Sequence, residues 1–176
     1  MRNHRNFWDR NAGRYDRFMR KDRAAYDEMY ELIRPVVRHK TVLELATGTG
    51  LIAKHIVNAA AHIEATDASA EMIAEAKRDT RSAKLHFSVQ DMFRLPYANQ
   101  SFNVVIVSNA LHIVPQPEKA LQEIKRVLKD DGVVLLSCTR QEARHVYQRD
   151  QRYVNASQKR TKRAPLRLAL QSSTPA

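Results

Sequence analysis

The sequence predicts an α/β fold in which a doubly wound, mainly parallel sheet carries helices on both faces. Short apolar runs of the kind found in buried parallel strands alternate with stretches of helical periodicity. The segment VLELATGTGLIA at 42–53 joins one such run to a glycine-rich turn and the start of a helix. The length of 176 residues suits one domain with a normal core.

Each element follows from its local pattern. Strands are predicted at Thr41–Ala46, His62–Thr66, Lys84–Val89, Asn103–Ser108 and Val133–Cys138. Helices are predicted at Asn6–Arg20, Arg23–Arg34, Leu51–Ala60, Ala70–Arg81 and Pro117–Lys129. Pro35 is expected to end the second helix, and Ser69 to cap the fourth. Because ligands of such sheets bind beyond the carboxyl ends of the strands, we expect Gly48, Asp67, Asp91 and Asn109 to converge.

The glycine-rich turn indicates a site for a small-molecule cofactor. Gly48 and Gly50 let the backbone approach a ligand closely, and the turn also fits the dinucleotide pattern G-x-G-x-x-G/A. Glu44 argues against that second interpretation, because a carboxylate four residues before Gly48 would repel a pyrophosphate. A buried carboxylate needs a partner, and a zwitterionic ligand with an ammonium group and a ribose supplies one.

Five segments carry a family resemblance: FWDRNAGRYDRFM at 7–19, VLELATGTG at 42–50, EATDAS at 64–69, SVQDMFRLPYANQSFNVVIVSNALHIV at 88–114 and EIKRVLKDDGVVLLS at 123–137. In the same order, they resemble segments of class I methyltransferases that use S-adenosylmethionine, most closely the small-molecule group around ubiquinone/menaquinone biosynthesis. The resemblance implies a Rossmann-like sheet and agrees with the position of Glu44, which already favours S-adenosylmethionine over NAD as the cofactor.

The resemblance also implies roles for individual residues. Asp67 would accept hydrogen bonds from the ribose hydroxyls, Asp91 would bind the adenine amino group, and Met72 would pack against adenine. Tyr15 would fold over the cofactor from the N-terminal helix. The full predicted cofactor set is Tyr15, Glu44, Ala46, Thr47, Gly48, Gly50, Asp67, Ala68, Met72, Asp91, Met92 and Asn109.

Simpler roles stay open for several of these residues. Asp67 and Asp91 can each cap a local turn, Met72 can be plain core, and Tyr15 can be a half-buried residue of an amphipathic helix. Ala46 stands where many members of the family have a glycine.

His112 is the candidate catalytic residue. Methyl transfer mainly requires alignment of a nucleophile with the methyl group, and a weak base suffices for an acidic acceptor. His112 is the titratable residue that follows the fourth strand, and an unperturbed histidine pKa of about 6.5 suits that task. A structural role in the pocket wall is the alternative. No histidine cluster has metal-ligand spacing, so we expect no metal.

The chain divides by charge into two regions. Residues 1–138 are predicted to form the methyltransferase domain, with 1–40 as an N-terminal helical lid. Residues 139–176 hold 9 basic and 2 acidic residues and show no convincing strand pair, which predicts a basic, poorly patterned tail. The final two strands of the family fold are therefore expected to be missing, and the C-terminus to be atypical or truncated.

Three functions remain open at this point. The leading one is methyl transfer to an aromatic, quinone-like or lipid-derived small molecule. The basic tail raises a second, an RNA-directed methyltransferase or RNA-binding module, although only Tyr147 and Tyr153 offer stacking there. The third is an inactive remnant that still binds the cofactor. A single Cys138 and the lack of a long apolar run predict a cytoplasmic protein without a membrane span.

Overall fold

The computed structural model describes residues 9–10, 12–13, 23–138 and 166–171. Its core is a six-stranded sheet with the strand order β3-β2-β1-β4-β5-β6. The strands are β1 (Thr41–Leu45), β2 (His62–Asp67), β3 (Leu85–Val89), β4 (Phe102–Ser108), β5 (Leu128–Cys138) and β6 (Leu166–Gln171). The helices are α1 (Arg23–Val37), α2 (Leu51–Ile56), α3 (Ala70–Arg78) and α4 (Pro117–Val127). The first five strands are parallel, as predicted, and β6 runs antiparallel to β5.

Helices cover both faces of the sheet. Strand β1 is buried from Val42 to Leu45, which is the pattern of a central parallel strand. Its alternate side chains enter two separate cores. Val42 packs on one face with buried residues of α1, α2 and α3, and Leu43 packs on the other with buried residues of α4. The doubly wound architecture predicted from the sequence is confirmed.

Pro35 does not end the first described helix. We expected helix α1 to stop at Arg34, but it continues to Val37. A proline removes one backbone donor, and near the end of a helix this loss affects only the last turn. Ile33 and Val37 are both buried in the core beneath that turn, and their burial keeps it helical.

Helices α2 and α3 are shorter than predicted. Helix α2 ends at Ile56 instead of Ala60, and the chain continues in a turn whose Ala59 amide donates to the Ile56 carbonyl. Helix α3 ends at Arg78 instead of Arg81, close to the Thr80 hydroxyl, which donates to the Ala76 carbonyl at 2.8 Å.

The change from α4 to β5 comes earlier than predicted. Helix α4 ends at Val127 instead of Lys129, and β5 begins at Leu128 instead of Val133. Leu128 pairs with Phe102, and the pairing then shifts in register before Val133 meets Val104. Gly132 lies in this irregularity, where a Cβ would be 2.6 Å from the Leu128 side chain.

Residues 139–176 supply one strand that the sequence pattern did not predict. Strand β6 pairs along β5 with Leu166 opposite Cys138 and Gln171 opposite Val133. It covers the β5 edge, which would otherwise present unpaired backbone groups. The N-terminal helix predicted at Asn6–Arg20 is described only at residues 9–10 and 12–13, which are helical. None of the described helices has the length and apolar character needed to cross a membrane.

Candidate functional site

The candidate site lies at the carboxyl ends of the central strands. The chain passes from β1 to β2 and β3 on one side, and then returns to place β4 and β5 on the other. The strand order therefore reverses between β1 and β4, which is where open α/β sheets bind ligands. Leu45 of β1 lies opposite Val107 of β4, so the loops that follow these two strands leave the sheet side by side.

Three of the five residues in the loop from Ala46 to Gly50 have a left-handed backbone conformation. Gly48 and Gly50 have φ values of 58° and 78°, and Ala46 shares this conformation at 52°. A Cβ on Gly50 would lie 2.5 and 2.7 Å from two ring atoms of Phe87, so this position requires glycine for space as well as for conformation. The Thr47 amide donates to the Thr66 carbonyl at 2.9 Å and fixes the loop to β2.

Two buried oxygen atoms at this loop lack a protein partner. Glu44 is 2% exposed and Thr47 is 7% exposed. Within the described residues, Glu44 Oε2 and Thr47 Oγ1 accept or donate no hydrogen bond. Buried polar atoms are satisfied in nearly all proteins, so two such atoms beside a glycine loop mark a place for a ligand or an ordered water.

The protonation of Glu44 reflects its burial. Desolvation raises the pKa of Glu44 to about 8, and the negative charge of Asp67 acts in the same direction. The Ala53 amide and the Thr47 hydroxyl, which is close to Glu44 but outside hydrogen-bond geometry, lower it. A cation beside this carboxyl group would favour its ionised form.

Asp67 joins the glycine loop to the turn after β2. Its Oδ2 accepts from the Gly48 amide at 2.8 Å, and its Oδ1 accepts from the Ser69 amide at 2.9 Å. Burial raises the pKa of Asp67, and these backbone amides oppose the increase. The Ala68 amide also lowers the pKa of this carboxyl group. A carboxylate has about four acceptor positions, so acceptor capacity remains for a ligand. The predicted ribose role of Asp67 is compatible with these contacts and is not tested by them.

The third strand brings Asp91 to the same edge of the sheet. The Gln90 amide donates to the Asp67 carbonyl at 2.9 Å, which links the ends of β2 and β3. Asp91 is exposed, and its Oδ1 accepts from the Phe93 amide at 2.9 Å. This is the local turn that the sequence offered as the simpler role for Asp91. Within the described residues its other oxygen accepts no hydrogen bond, so this oxygen can accept one from a ligand.

The other predicted cofactor residues lie around these three loops. Met72 is buried on α3, Ala68 is exposed in the turn between Asp67 and Ser69, and Met92 is half-buried against the second core. Asn109 follows β4, is exposed, and has a φ of 51°. Tyr15 lies outside the described residues.

His112 lies in the turn that follows β4. It is half-buried, and the turn is closed by a hydrogen bond from the Ile113 amide to the Ala110 carbonyl at 3.0 Å. The exposed side chain of Ile113 gives this turn an apolar surface beside the histidine. In the described ranges, no group of three histidine, cysteine or acidic residues is placed to hold a metal ion.

Sequence reasoning missed one contact of this site, between Ser69 and Asp9. The predicted cap is confirmed, because Ser69 Oγ accepts from the Met72 amide at 3.1 Å. The same hydroxyl donates to Asp9 Oδ1 at 2.5 Å. Asp9 is 60 residues away in the sequence, and no local pattern signals such a pairing.

Comparison with known proteins adds a family and a fold. Residues 43–136 match the pattern of the family described as a methyltransferase domain. The demethylmenaquinone methyltransferase of Paenarthrobacter aurescens is 35% identical over 96 residues, which cover 54% of this chain and 37% of that protein. The demethylmenaquinone methyltransferase of Thermotoga maritima is 32% identical over 136 residues, which cover 73% of this chain and 58% of that protein.

A solved structure extends the comparison of the fold. The putative S-adenosyl-L-methionine-dependent methyltransferase of Methanococcus maripaludis matches with a TM-score of 0.76 at 11% identity, over 96% of this chain and 94% of that chain. At this identity the match concerns the fold alone. The chain spans less than two thirds of the length of both curated relatives.

Proposed function

We propose, because this chain belongs to the methyltransferase-domain family, that it transfers a methyl group from S-adenosylmethionine to a small-molecule acceptor. The observation that carries the proposal is the pair of buried, unpartnered oxygens on Glu44 and Thr47 beside the glycine loop. An ammonium group satisfies both atoms, whereas a pyrophosphate would meet the acidic groups of Glu44 and Asp67.

The residues of the site fit the rest of this cofactor. Asp67 keeps acceptor capacity beyond the Gly48, Ser69 and Ala68 amides, which suits a ribose hydroxyl. The second oxygen of Asp91 is our candidate to bind the adenine amino group, and Met72, buried in α3 after the Asp67 turn, is our candidate to pack against adenine. Ala46, Gly48 and Gly50 shape the loop, and Ala68, Met92 and Asn109 line the neighbouring turns.

The protein contributes alignment more than covalent chemistry. When bound, S-adenosylmethionine supplies an activated methyl group on a sulfonium. Holding an acceptor in line with that group can contribute about 7–11 kcal/mol to catalysis. His112, in the turn after β4, is our candidate to take a proton from an acidic acceptor.

We propose an aromatic, quinone-like or lipid-derived acceptor. The exposed Ile113 beside His112 provides an apolar contact for such a molecule. The names of the two curated relatives support the quinone-like member of this set. We propose that the protein acts in the cytoplasm, and no helix in the described ranges is long and apolar enough to cross a membrane.

Calorimetric titration tests the cofactor assignment. We expect micromolar binding of S-adenosylmethionine and S-adenosylhomocysteine and none of NAD. Glu44→Gln should weaken binding of both at least tenfold, because a neutral amide replaces a carboxylate that pairs with the ammonium. Glu28→Gln, at an exposed position of α1, is the matched control and should bind as the wild type does. Preferential binding of NAD would overturn the proposal.

Turnover tests the activity. The wild-type protein should transfer a labelled methyl group to at least one member of a panel of phenols, short-chain demethylated quinones and fatty acids. His112→Asn should lower kcat and leave the affinity for the cofactor unchanged. Cofactor binding without transfer to any acceptor would identify an inactive remnant instead.

The charge of residues 139–176 supports a second candidate, an RNA acceptor or ligand. With 9 basic and 2 acidic residues, this segment would give an affinity for RNA that falls steeply with salt. Replacing the basic residues between 140 and 163 with glutamine should then abolish RNA binding. If the wild type and this glutamine variant bind RNA equally well, the proposal of an RNA acceptor or ligand is wrong.

A further inference from the structure

We propose that Asp9 is a positioning residue for the cofactor site, which holds Ser69 and, through it, the carboxylate of Asp67. This inference rests on the proposed function. Asp9 belongs to the short described part of the N-terminal region, and no residue role implied by the family resemblance includes it.

The contact between Asp9 and Ser69 has the features of a strong hydrogen bond. Ser69 Oγ lies 2.5 Å from Asp9 Oδ1, which is typical of a hydroxyl that donates to a carboxylate. Ser69 is only 2% exposed, so water competes little for its hydroxyl proton. Ala12, three residues after Asp9 in the sequence, is also buried, so this part of the N-terminal region packs against the protein.

Ser69 connects three parts of the site. Its hydroxyl donates to Asp9 and accepts from the Met72 amide at the start of α3. Its own amide donates to Asp67 Oδ1 at 2.9 Å. The second oxygen of Asp67 accepts from the Gly48 amide at 2.8 Å. Asp9 is thus one end of a continuous chain of hydrogen bonds that reaches the glycine loop.

This chain gives Asp9 an effect on the orientation of Asp67. A serine hydroxyl can rotate its proton among several acceptors, and the Asp9 carboxylate selects one direction. The fixed hydroxyl keeps the Ser69 backbone, and therefore its amide, aligned with Asp67. Asp9 also acts through its charge, which raises the pKa of Asp67 after the larger effect of burial.

Three variants separate this role from a general loss of structure. Asp9→Ala removes the acceptor, and Asp9→Asn keeps an oxygen that accepts from Ser69. Glu28→Ala removes one exposed carboxylate from α1 and serves as the control. The measurements are the Kd for S-adenosylhomocysteine by calorimetry and the amide NMR shifts of Gly48, Ser69 and Met72 without cofactor.

We expect Asp9→Ala to weaken binding about three- to tenfold, the effect of one lost hydrogen bond, and to shift all three amide signals. Asp9→Asn should restore most of the affinity, a rescue that a role in bulk stability would not require. Glu28→Ala should match the wild type in both measurements.

Two outcomes lead to different conclusions. If the wild type binds the cofactor and Asp9→Ala binds it equally well, the role of Asp9 is overturned and the proposed function stands. If the wild type binds no cofactor, the proposed function fails, and the role of Asp9 at a cofactor site fails with it. Unchanged amide signals in Asp9→Ala would overturn the hydrogen-bonded chain in either case.

Discussion

The protonation of Glu44 makes the stability of this protein depend on pH. Burial raises the pKa of its carboxyl group to about 8 in the folded chain, against an ordinary value of 4.5. Between these two values the folded state holds a proton that the unfolded state has released. The contribution of Glu44 to the free energy of unfolding is therefore fully present below about pH 4.5. It is lost as the pH rises through about 8, with a slope of up to ~1.4 kcal/mol per pH unit.

Glu44→Gln should remove this dependence. Glutamine has the same shape and no charge to desolvate, so the unfolding free energy of the variant should change far less between pH 5 and pH 8. Asp67 has a pKa that is also raised, and it remains in both proteins, so the difference between them isolates Glu44. Denaturant titrations of the cofactor-free chain at several pH values measure the unfolding free energy of each protein. If this free energy depends on pH equally in both proteins, the prediction is wrong.

Ala46→Gly should stabilise the fold by about 0.5–1 kcal/mol. Ala46 has a φ of 52°, and a left-handed alanine is strained by roughly 1–2 kcal/mol, which exceeds the cost of the greater freedom of glycine in the unfolded chain. Ala59→Gly is the control, because Ala59 is also half-buried but is not among the residues with positive φ. Thermal unfolding should raise the Tm of the first variant and lower that of the second.

At the scale of elements, Arg126 holds the connection between β3 and β4. Its guanidinium donates to the carbonyls of Tyr97 and Leu95 at 2.7 and 3.0 Å, and it pairs with both oxygens of Glu123. Glu123 also accepts from the Leu95 amide at 2.8 Å. The hydrogen bond from Arg126 holds the pKa of Glu123 below its usual range. Helix α4 is thereby fixed to the connection that follows Asp91.

Arg126→Ala should lower the denaturant midpoint of unfolding, because two carbonyls and a carboxylate lose their donors. Arg126→Lys should recover little of this, since an ammonium cannot reproduce the planar fork of donors. Arg78→Ala is the control: its exposed pair with Glu75 should contribute less than about 0.5 kcal/mol. Equal effects of the Arg126 and Arg78 variants in denaturant unfolding would show that the connection does not depend on Arg126.

The sequence predicts those elements whose burial is recorded in their own apolar pattern. It does not predict element ends that depend on contacts with distant parts of the chain. Strands β1 and β4 were predicted to within one residue at each end, because their apolar runs record burial on both faces. The end of α1 was not predicted correctly, because a proline was expected to stop the helix. The burial of Val37 in the core is a tertiary effect, and the local sequence does not show it. The start of β5 was also missed, since the irregular pairing of Leu128 with Phe102 depends on another strand.

The same distinction holds in the site. Glu44 and Gly50 could be singled out from the sequence, because an acid in an apolar strand and a glycine after it have few local explanations. The contact of Asp9 with Ser69 could not, because 60 residues separate the two side chains and neither has an unusual neighbourhood in the sequence.

At the scale of the whole molecule, β6 forms one edge of the sheet with residues from the basic C-terminal region. It pairs along β5 from Cys138 to Val133, and it is an edge strand. Adjacent backbone amides of an edge strand point in opposite directions, one toward its partner and one toward solvent. Strand β6 therefore offers a test in which two neighbouring substitutions serve as controls for each other.

Leu168→Pro and Ala169→Pro should differ in their effects. One of the two removes an amide that donates to β5 and should lower the Tm and promote aggregation through the exposed β5 edge. The other removes an amide that faces solvent and should change both measurements less. Thermal unfolding with light scattering measures the difference. If neither substitution has an effect, β6 does not contribute to stability in solution.

Most of the residues proposed to bind the cofactor lie on one side of the sheet. Glu44, Gly48, Asp67 and Asp91 all belong to the half of the sheet formed by β1, β2 and β3. The opposite edge, β5 and β6, supplies none of the residues assigned to the cofactor. If the proposed function holds, changes in sequence at that edge can alter the acceptor without disturbing the residues proposed to bind the methyl donor.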